Sequence, residues 1–184
     1  MNAYEKLWLR GGLPRAFLPR TNEESFIWRK EFVQSFVARD LPMYGVSLPA
    51  MTILRYWTML AHYNGQVFNA SEIACSLGIS EITVKRYLDV MSGVFMVRQL
   101  QPWFANIKKR QVKAPKIYFY DTGILHALLG IKTMEDLLAH PKHGASWEGF
   151  VIEEVIHAVD PDDVYYWATH QGAEIDLVLF KGGR

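Results

Sequence analysis

The 184-residue sequence contains a single cysteine, Cys75, so it cannot form an internal disulfide. No hydrophobic run approaches the length that a membrane-spanning helix needs, and the first ten residues lack the apolar region of a signal peptide. The sequence therefore predicts a reducing, cytoplasmic setting and no contact with a membrane. Cys75 falls near the core-facing side of a predicted helix, where we expect a buried thiol.

A phosphate-binding loop is also missing. No GxxxxGK[ST] motif occurs anywhere, which excludes ATP hydrolysis by that route for this chain alone. Half of the residues are hydrophobic and 14% are aromatic, so the chain is able to bury a core and to hold more than one packing unit.

Acidic residues are absent between Gln99 and Tyr120, although the net charge of the whole chain is only +1. Residues 1–132 carry 17 Lys and Arg against 9 Asp and Glu, whereas residues 133–184 carry 3 against 10. The local fields therefore say more about partners than the average charge does. The basic stretch is a candidate contact for phosphate groups.

Residues 69–91 have the pattern of a helix-turn-helix. Asn69 is placed to cap a first helix, and Gly78 supplies the backbone freedom needed to leave it. Ser80 is placed to cap a second helix, in which apolar residues recur from Val84 to Met91 at helical spacing. Two short helices joined in this way serve either as a DNA-reading unit or as a structural and partner-binding module.

The exposed side of the second helix is mixed. Lys85 and Arg86 are predicted to contact phosphates or guanine edges, and Ile82 is suited either to a thymine methyl or to a protein partner. Glu81 and Asp89 on the same side would repel phosphates. The helix alone therefore favours neither alternative.

Two predicted strands, residues 94–104 and 116–120, follow the second helix and form the wing of a winged helix over residues 66–122. The wing is predicted to bind nucleic acid through Lys108, Lys109, Arg110, Lys113 and Lys116. Such a set of cations gives nonspecific, salt-sensitive affinity. The alternative is a solvated hairpin tip.

Residues 1–65 are predicted to be helical. One helix begins at Asn22 and stops before Pro42, and another follows Pro49. The second of these is apolar on all sides, so either it is buried on both sides or one face, including Tyr56, packs against a partner. Under the second alternative, Tyr56 and Ile82 are the predicted partner-binding residues of a module that forms homo-oligomers or contacts another protein.

Residues 123–184 combine a helix near Trp147 with a hairpin. Glu148 lies on the helix, and Glu174 and Asp176 share one face of the last strand because side chains alternate. A helix Glu with a strand Asp is how a Mg²⁺-dependent nuclease site begins. Such a site also needs a further strand with an acid and a lysine, which this chain lacks, so exposed acids on a hairpin are the favoured interpretation.

Taken in order, several segments resemble the C-terminal part of AAA-type ATPases of archaea and bacteria. The segments are LWLRGGLP, the helix-turn-helix, KAPKIYFYDTGI, WEGFVIEEVI and YYWATHQGAEIDLVL. In that family a P-loop module precedes a winged helix, which is followed by a domain similar to the restriction-endonuclease (PD-(D/E)xK) fold. By resemblance, Glu148 matches the helix acid of that fold and Asp176 its strand acid.

The resemblance implies an α+β chain with a helical N-terminal segment, a winged helix and an incomplete restriction-endonuclease-like helix-plus-hairpin unit. It implies ATP and Mg only for parts of the family's proteins that this chain lacks, and no cofactor within the chain itself. The expected function is nucleic-acid binding beside an ATPase module. The alternatives are a protein-interaction module and a remnant nuclease in which Glu148 and Asp176 are vestigial.

Overall fold

The computed structural model describes residues 2–103, 113–169 and 171–183, and the predicted α+β class is confirmed. The helices are α1 (Ala3–Arg10), α2 (Pro14–Phe17), α3 (Asn22–Ser35), α4 (Leu41–Met43), α5 (Ala50–His62), α6 (Ala70–Leu77), α7 (Glu81–Gly93), α8 (Thr122–Leu128), α9 (Met134–Ala139) and α10 (His143–Val159). The strands are β1 (Gln66–Val67), β2 (Val97–Pro102), β3 (Lys116–Phe119), β4 (Asp163–Ala168) and β5 (Glu174–Phe180). Within the described ranges, no helix is both long and apolar enough to cross a bilayer.

One mixed sheet contains these five strands in the order β1-β3-β2-β4-β5. Strand β3 pairs antiparallel with β1 and with β2, and β4 and β5 form the predicted antiparallel hairpin. The sequence did not predict the connection between these two parts, in which Gln101 of β2 lies opposite Tyr165 of the parallel strand β4. The sheet is therefore continuous across the predicted boundary between residues 122 and 123.

Strand β3 contributes to two hydrophobic clusters. Ile117 and Phe119 belong to the larger cluster, which is built mainly from helices α5 to α8. Tyr118 belongs to a smaller cluster with residues from β2, α10 and β4. Because side chains alternate along a strand, Lys116 lies on the same side as Tyr118 and points toward α10. The four residues of β3 thus pack against both hydrophobic clusters.

The first long helix differs from its prediction at both ends. Thr21, rather than Asn22, caps α3, because its side chain accepts from the Glu24 amide while the Glu24 carboxylate accepts from the Thr21 amide. The helical path continues through a π-helical turn (Phe36–Asp40) into α4 instead of stopping before Pro42. Pro42 lies in the first turn of α4, where a missing N–H group is tolerated.

Helix α5 follows Pro49 as predicted, but the position of Tyr56 corrects the prediction that it binds a partner. Tyr56 is 1% exposed, and its hydroxyl donates to the carbonyl oxygen of Val84 on α7 at 3.0 Å. Helix α5 is apolar on several sides because α7 and the helices before α5 cover it. Tyr56 is thus covered by α7 of the same chain and is not available to a separate partner.

Helices α6 and α7 form the predicted helix-turn-helix pair. The side chains of Asn69 and Ser80 accept from the amides of their respective helices, and Gly78 has the left-handed conformation that ends α6. The predicted apolar face of α7 is buried. Cys75, in contrast, is exposed, so the expected buried thiol is wrong. The core-facing side of α6 consists instead of Ala70, Ile73 and Ala74.

Asp121 holds the N-terminal segment against the turn before α8. Its carboxylate accepts from the amides of Gly12 at 2.8 Å and Leu13 at 3.3 Å, and it also caps α8 by accepting from Ile124 at 2.9 Å. The sequence, in which Asp121 directly precedes a short helical segment, predicts this cap, and the structure confirms it. The two bonds to Gly12 and Leu13 are new. Burial raises the pKa of Asp121, although the three amides and the charge of Arg29 oppose the shift.

The backbone of α1 lies directly against Gly123. A Cβ atom at Gly123 would lie 2.0 Å from the carbonyl oxygen of Arg10. The fully buried Arg29 donates to the carbonyl oxygens of Leu9 at 3.1 Å and Gly123 at 2.9 Å, which joins both backbones to α3. The close approach of the α1 backbone to residue 123 therefore requires a glycine at that position.

A buried chain of hydrogen bonds continues from here to α10. The indole of Trp8 donates to Ser146 Oγ at 3.0 Å, so the Ser146 hydroxyl is left to donate to His126 Nε2 at 2.7 Å. His126 Nδ1 must then carry its proton toward the carbonyl oxygen of Leu9, 2.9 Å away. Burial lowers the pKa of His126 to about 3, and the network needs the neutral ring.

We expect Gly123→Ala to lower the free energy of unfolding by at least about 2 kcal/mol, because the new methyl group meets a backbone atom that cannot rotate away. Thermal unfolding should show a fall in Tm of at least about 5 °C. Gly144→Ala is the control, since a Cβ there has no heavy atom within 4 Å. Equal stability of the two variants would contradict the close contact.

Because His126 is buried as a neutral ring, we expect the protein to lose stability in acid. An unfolded histidine binds its proton near pH 6.5, but folded His126 does so only near pH 3. The contribution of His126 to the free energy of unfolding is therefore complete above about pH 6.5. It is lost as the pH falls toward 3, by about 1.4 kcal/mol per pH unit. Denaturant unfolding of the parent and His126→Gln should show a shallower pH dependence for the variant. Parallel curves would contradict the neutral, buried ring.

Candidate functional site

The exposed side of α7 is as mixed as the sequence indicated. Lys85 and Arg86 are exposed, and so are Glu81 and Asp89. Ile82 is 81% exposed, which is unusual for a residue of its size on a helix with a buried opposite face. The surface therefore offers cations, anions and one apolar side chain to a ligand.

A groove of about 510 Å³, the α7 groove, separates α7 from residues 113–115 just before β3. Lys85 lines it from one side and Lys113 from the other. The other lining residues are Phe68, Asn69, Ala70, Ser71, Glu81, Leu88, Asp89, Gln99, Ala114 and Pro115. The α7 groove thus combines the ammonium groups of the two lysines with the carboxylates of Glu81 and Asp89 and with amide and hydroxyl groups.

The floor of the α7 groove is fixed by Gln99 of β2. Its amide nitrogen donates to Asp89 Oδ1 at 3.0 Å and lies 3.1 Å from Ser92 Oγ. Asp89 therefore helps to attach α7 to the sheet. This second role accounts for Asp89, one of the two acidic residues that line the groove.

Arg86 is exposed but already engaged. Its guanidinium donates to the carbonyl oxygen of Gly45 at 2.8 Å, in the loop between α4 and α5. Arg86 thus positions this loop, and Lys85 is the cation of α7 that lines the groove.

The predicted wing cations fall into different environments. Lys108, Lys109 and Arg110 lie outside the described residues, so their contacts with nucleic acid stay a prediction. Lys113 is exposed. The prediction that Lys116 binds nucleic acid requires a correction, because its side chain is only 6% exposed and is surrounded by carboxylates of the same chain. It is directed into the protein because it shares the α10-facing side of β3.

Glu148, Glu174 and Asp176, the carboxylate cluster, converge on Lys116. The Lys116 ammonium contacts Glu174 directly, lies 3.1 Å from Asp176 Oδ1 and 3.7 Å from Glu148 Oε1. The two strand acids share one face as predicted. Glu174 and Asp176 are exposed on the hairpin, as the favoured interpretation has it, with side chains 40% and 56% exposed, and they also form ion pairs with Lys116.

Tyr118 adds a second donor from β3. Its hydroxyl donates to the Glu148 carboxylate, and its side chain is fully buried. Burial raises the pKa of Tyr118, and the bond to Glu148 raises it further. Burial alone would lower the pKa of Lys116, but Glu174, Asp176 and Glu148 outweigh that effect and raise it. Both groups therefore remain protonated donors at neutral pH.

The carboxylate cluster does not match a magnesium site. A Mg²⁺ ion needs carboxylate oxygens that are free to approach it, usually with several waters. Here the oxygens of Glu148 and Asp176 already face Lys116 and Tyr118. In the part of the chain that the structure describes, no three His, Cys, Asp or Glu side chains are grouped as metal ligands.

A second ion pair crosses between the same two parts of the chain. Arg98 of β2 binds Glu153 of α10 through both carboxylate oxygens, at 2.5 and 2.9 Å. Its guanidinium carbon also lies 4.4 Å from the centre of the Tyr120 ring. Burial lowers the pKa of Arg98, and Glu153 more than compensates, so the net shift is upward.

Sequence reasoning did not identify the roles of Lys116, Tyr118 or the Arg98–Glu153 pair. One signal was available for Lys116, because a lysine in an apolar strand of four residues usually needs a partner when that strand is buried. The partner itself was hidden, since 58 residues separate Lys116 from Glu174. Only the β2–β4 pairing brings the two strands into one sheet.

Two relatives are longer proteins that contain a region similar to this chain. Uncharacterized proteins of Mycobacterium bovis and Mycobacterium tuberculosis are each 52% identical to it over 183 residues, which covers all of this chain. The chain spans only 42% of the length of either relative. No solved structure matches it.

Two family matches meet near residue 140. Residues 143–184, which include the carboxylate cluster, match the domain of unknown function DUF4143. Residues 1–135, which include the α7 groove and Lys116, match the domain of unknown function DUF8612. The chain belongs to the DUF8612 family.

Proposed function

We propose that this chain is the nucleic-acid-binding part of a larger AAA-type ATPase. The α7 groove is the binding surface, and its lysines contact the phosphate backbone. Binding of this kind depends on charge and depends little on base sequence. The sequence has no P-loop motif, so we assign ATP hydrolysis to another part of the protein, and its single cysteine fits a reducing, cytoplasmic setting.

The order of the elements supports the proposal. The run from α5 to β3 is helix, strand, helix, helix, strand, strand, and β1, β3 and β2 are neighbours in the sheet. This order supports the proposal of a winged helix, in which the helix corresponding to α7 would enter a DNA groove. The proposed wing includes residues 104–112, which lie outside the described residues.

The observation that carries the proposal is the pair of lysines across the α7 groove. Lys85 and Lys113 come from two elements and border the same cavity, so one backbone passing through it meets both ammonium groups. Asn69, which also lines it, has a side-chain amide nitrogen that is suited to donate to phosphate oxygens or base edges. Glu81 on the rim opposes binding.

The link to an ATPase rests on two further observations. The family matched by residues 143–184 usually occurs in AAA-ATPase-associated proteins. The mycobacterial relatives are more than twice as long as this chain, which leaves room for a P-loop module. The resemblance of the sequence to the C-terminal part of such ATPases agrees with both.

Fluorescence anisotropy with a labelled duplex, measured at increasing salt concentration, tests the groove. We expect the logarithm of the association constant to fall steeply with the logarithm of the salt concentration. Replacing both Lys85 and Lys113 by alanine should make the slope shallower by about 1.8, since each phosphate contact contributes about 0.9. The loss should be similar for unrelated duplex sequences.

Two controls accompany this measurement. Lys30→Ala removes an exposed cation from α3, away from the α7 groove, and should leave the slope unchanged. Glu81→Gln should strengthen binding, because it removes a negative charge from the rim. Undetectable binding at low salt, or an equal change of slope in Lys30→Ala, would refute the proposal.

A second candidate function is favoured by the exposure of apolar side chains near Arg86. Ile82 lies one helical turn before Arg86, and Tyr44 precedes the glycine that Arg86 binds. These two side chains are 81% and 56% exposed, and the neighbouring Met43 is 80% exposed. Such a set fits a contact with a protein partner, including a second copy of this chain.

Light scattering over a range of protein concentrations tests this candidate. A homo-oligomer should shift toward monomer when Ile82 is replaced by serine, which removes apolar surface without adding charge. Ile27→Ser on α3 is the matched control, since Ile27 is also exposed. A parent protein that is monomeric at every concentration would exclude self-association through this surface.

A further inference from the structure

Three carboxylates that converge on one point repel each other unless a cation lies between them. Glu148 comes from α10, and Glu174 and Asp176 come from β5, so α10 and the hairpin jointly form the carboxylate cluster. In many proteins a divalent metal ion fills such a position. Here the ammonium of Lys116 lies there, with N–H groups to donate to Glu174 and Asp176 and with Glu148 within ion-pair distance at 3.7 Å.

Lys116 is held firmly in this position by its strand. β3 lies between β1 and β2, and the backbone of Lys116 pairs with both Val67 and Leu100. Its ammonium lies 5.5 Å from the centre of the Tyr166 ring, and the Tyr166 hydroxyl donates to the carbonyl oxygen of Ala114 at 2.5 Å. The sheet thus fixes the backbone position from which the Lys116 side chain reaches the carboxylates.

The partners of Lys116 all belong to the other family-defined region. Lys116 and Tyr118 lie within residues 1–135, whereas Glu148, Glu174 and Asp176 lie within residues 143–184. The ionic contact is therefore made across the junction of two domains. Lys116 does not neutralise all of the negative charge of the carboxylate cluster. The remaining charge is exposed to water, since both strand acids are partly exposed.

We propose that Lys116 is a built-in cation that takes the place of a divalent metal ion in the carboxylate cluster and fixes the DUF4143 region to strand β3. The carboxylates are then structural ligands of a lysine, and divalent cations have no role there while Lys116 is in place. The inference is independent of nucleic-acid binding, because none of its groups except Lys116 was assigned to that function.

Thermal unfolding with and without millimolar CaCl2, at matched ionic strength, tests the inference on the full chain. Calcium is the probe because it accepts several oxygen ligands in flexible geometry. The Tm of the parent should not change. Lys116→Met should lower the Tm by about 5 °C or more, because it leaves three carboxylates without their cation, and CaCl2 should restore part of the loss.

A variant that removes one carboxylate charge distinguishes the ionic role of Lys116 from a role in packing alone. Adding Glu174→Gln to Lys116→Met should raise the Tm above that of the single variant, because it removes one of the uncompensated charges. The same Glu174→Gln in the parent should lower the Tm, because Lys116 loses its nearest partner. Lys30→Met, at an exposed position, should leave the Tm and its response to CaCl2 unchanged.

Several results would overturn the inference. One is a parent Tm that rises with CaCl2 as much as that of Lys116→Met. Another is a double variant less stable than Lys116→Met, which would indicate packing alone. If Lys116→Met does not fold, the parent and Glu174→Gln still decide the question, since a rise in Tm on removing Glu174 would contradict a lysine held by that carboxylate.

Discussion

Strand β3 must satisfy two packed units at the same time, and the rest of the structure depends on how its four residues do so. Ile117 and Phe119 complete the large helical core, whereas Lys116 and Tyr118 turn toward α10 and β5. The apolar pair is stabilised by removal from water. The polar pair is stabilised by carboxylates that the other unit supplies, so neither unit is complete without the other.

This arrangement also explains how the proposed binding surface is supported. The α7 groove ends at residues 113–115, directly before β3, and Gln99 of β2 fixes its floor. Behind it, Arg98 and Lys116 bind carboxylates of the DUF4143 region. Gln99 of β2 thus faces α7, whereas Arg98 and Lys116 face the carboxylates, so one continuous sheet supports both the α7 groove and the carboxylate cluster.

Local features were predictable from the sequence, because capping, helical periodicity and strand alternation act over a few residues. The α6–α7 pair, the cap at Asp121 and the β4–β5 hairpin are examples. Contacts between distant segments were not predictable. Lys116 appeared to be one of five wing cations, and Tyr56 appeared to be unpartnered, because pattern reasoning cannot tell which distant carboxylate or helix will cover a side chain.

NMR chemical-shift mapping of the full chain with a short duplex at low salt tests the proposed function most directly. The account predicts that the largest changes fall on the amides near Lys85, Asn69 and Lys113, which border the α7 groove, and that Glu148 and Asp176 are little affected. Changes centred on residues 143–184, or no changes at any duplex concentration, would contradict it.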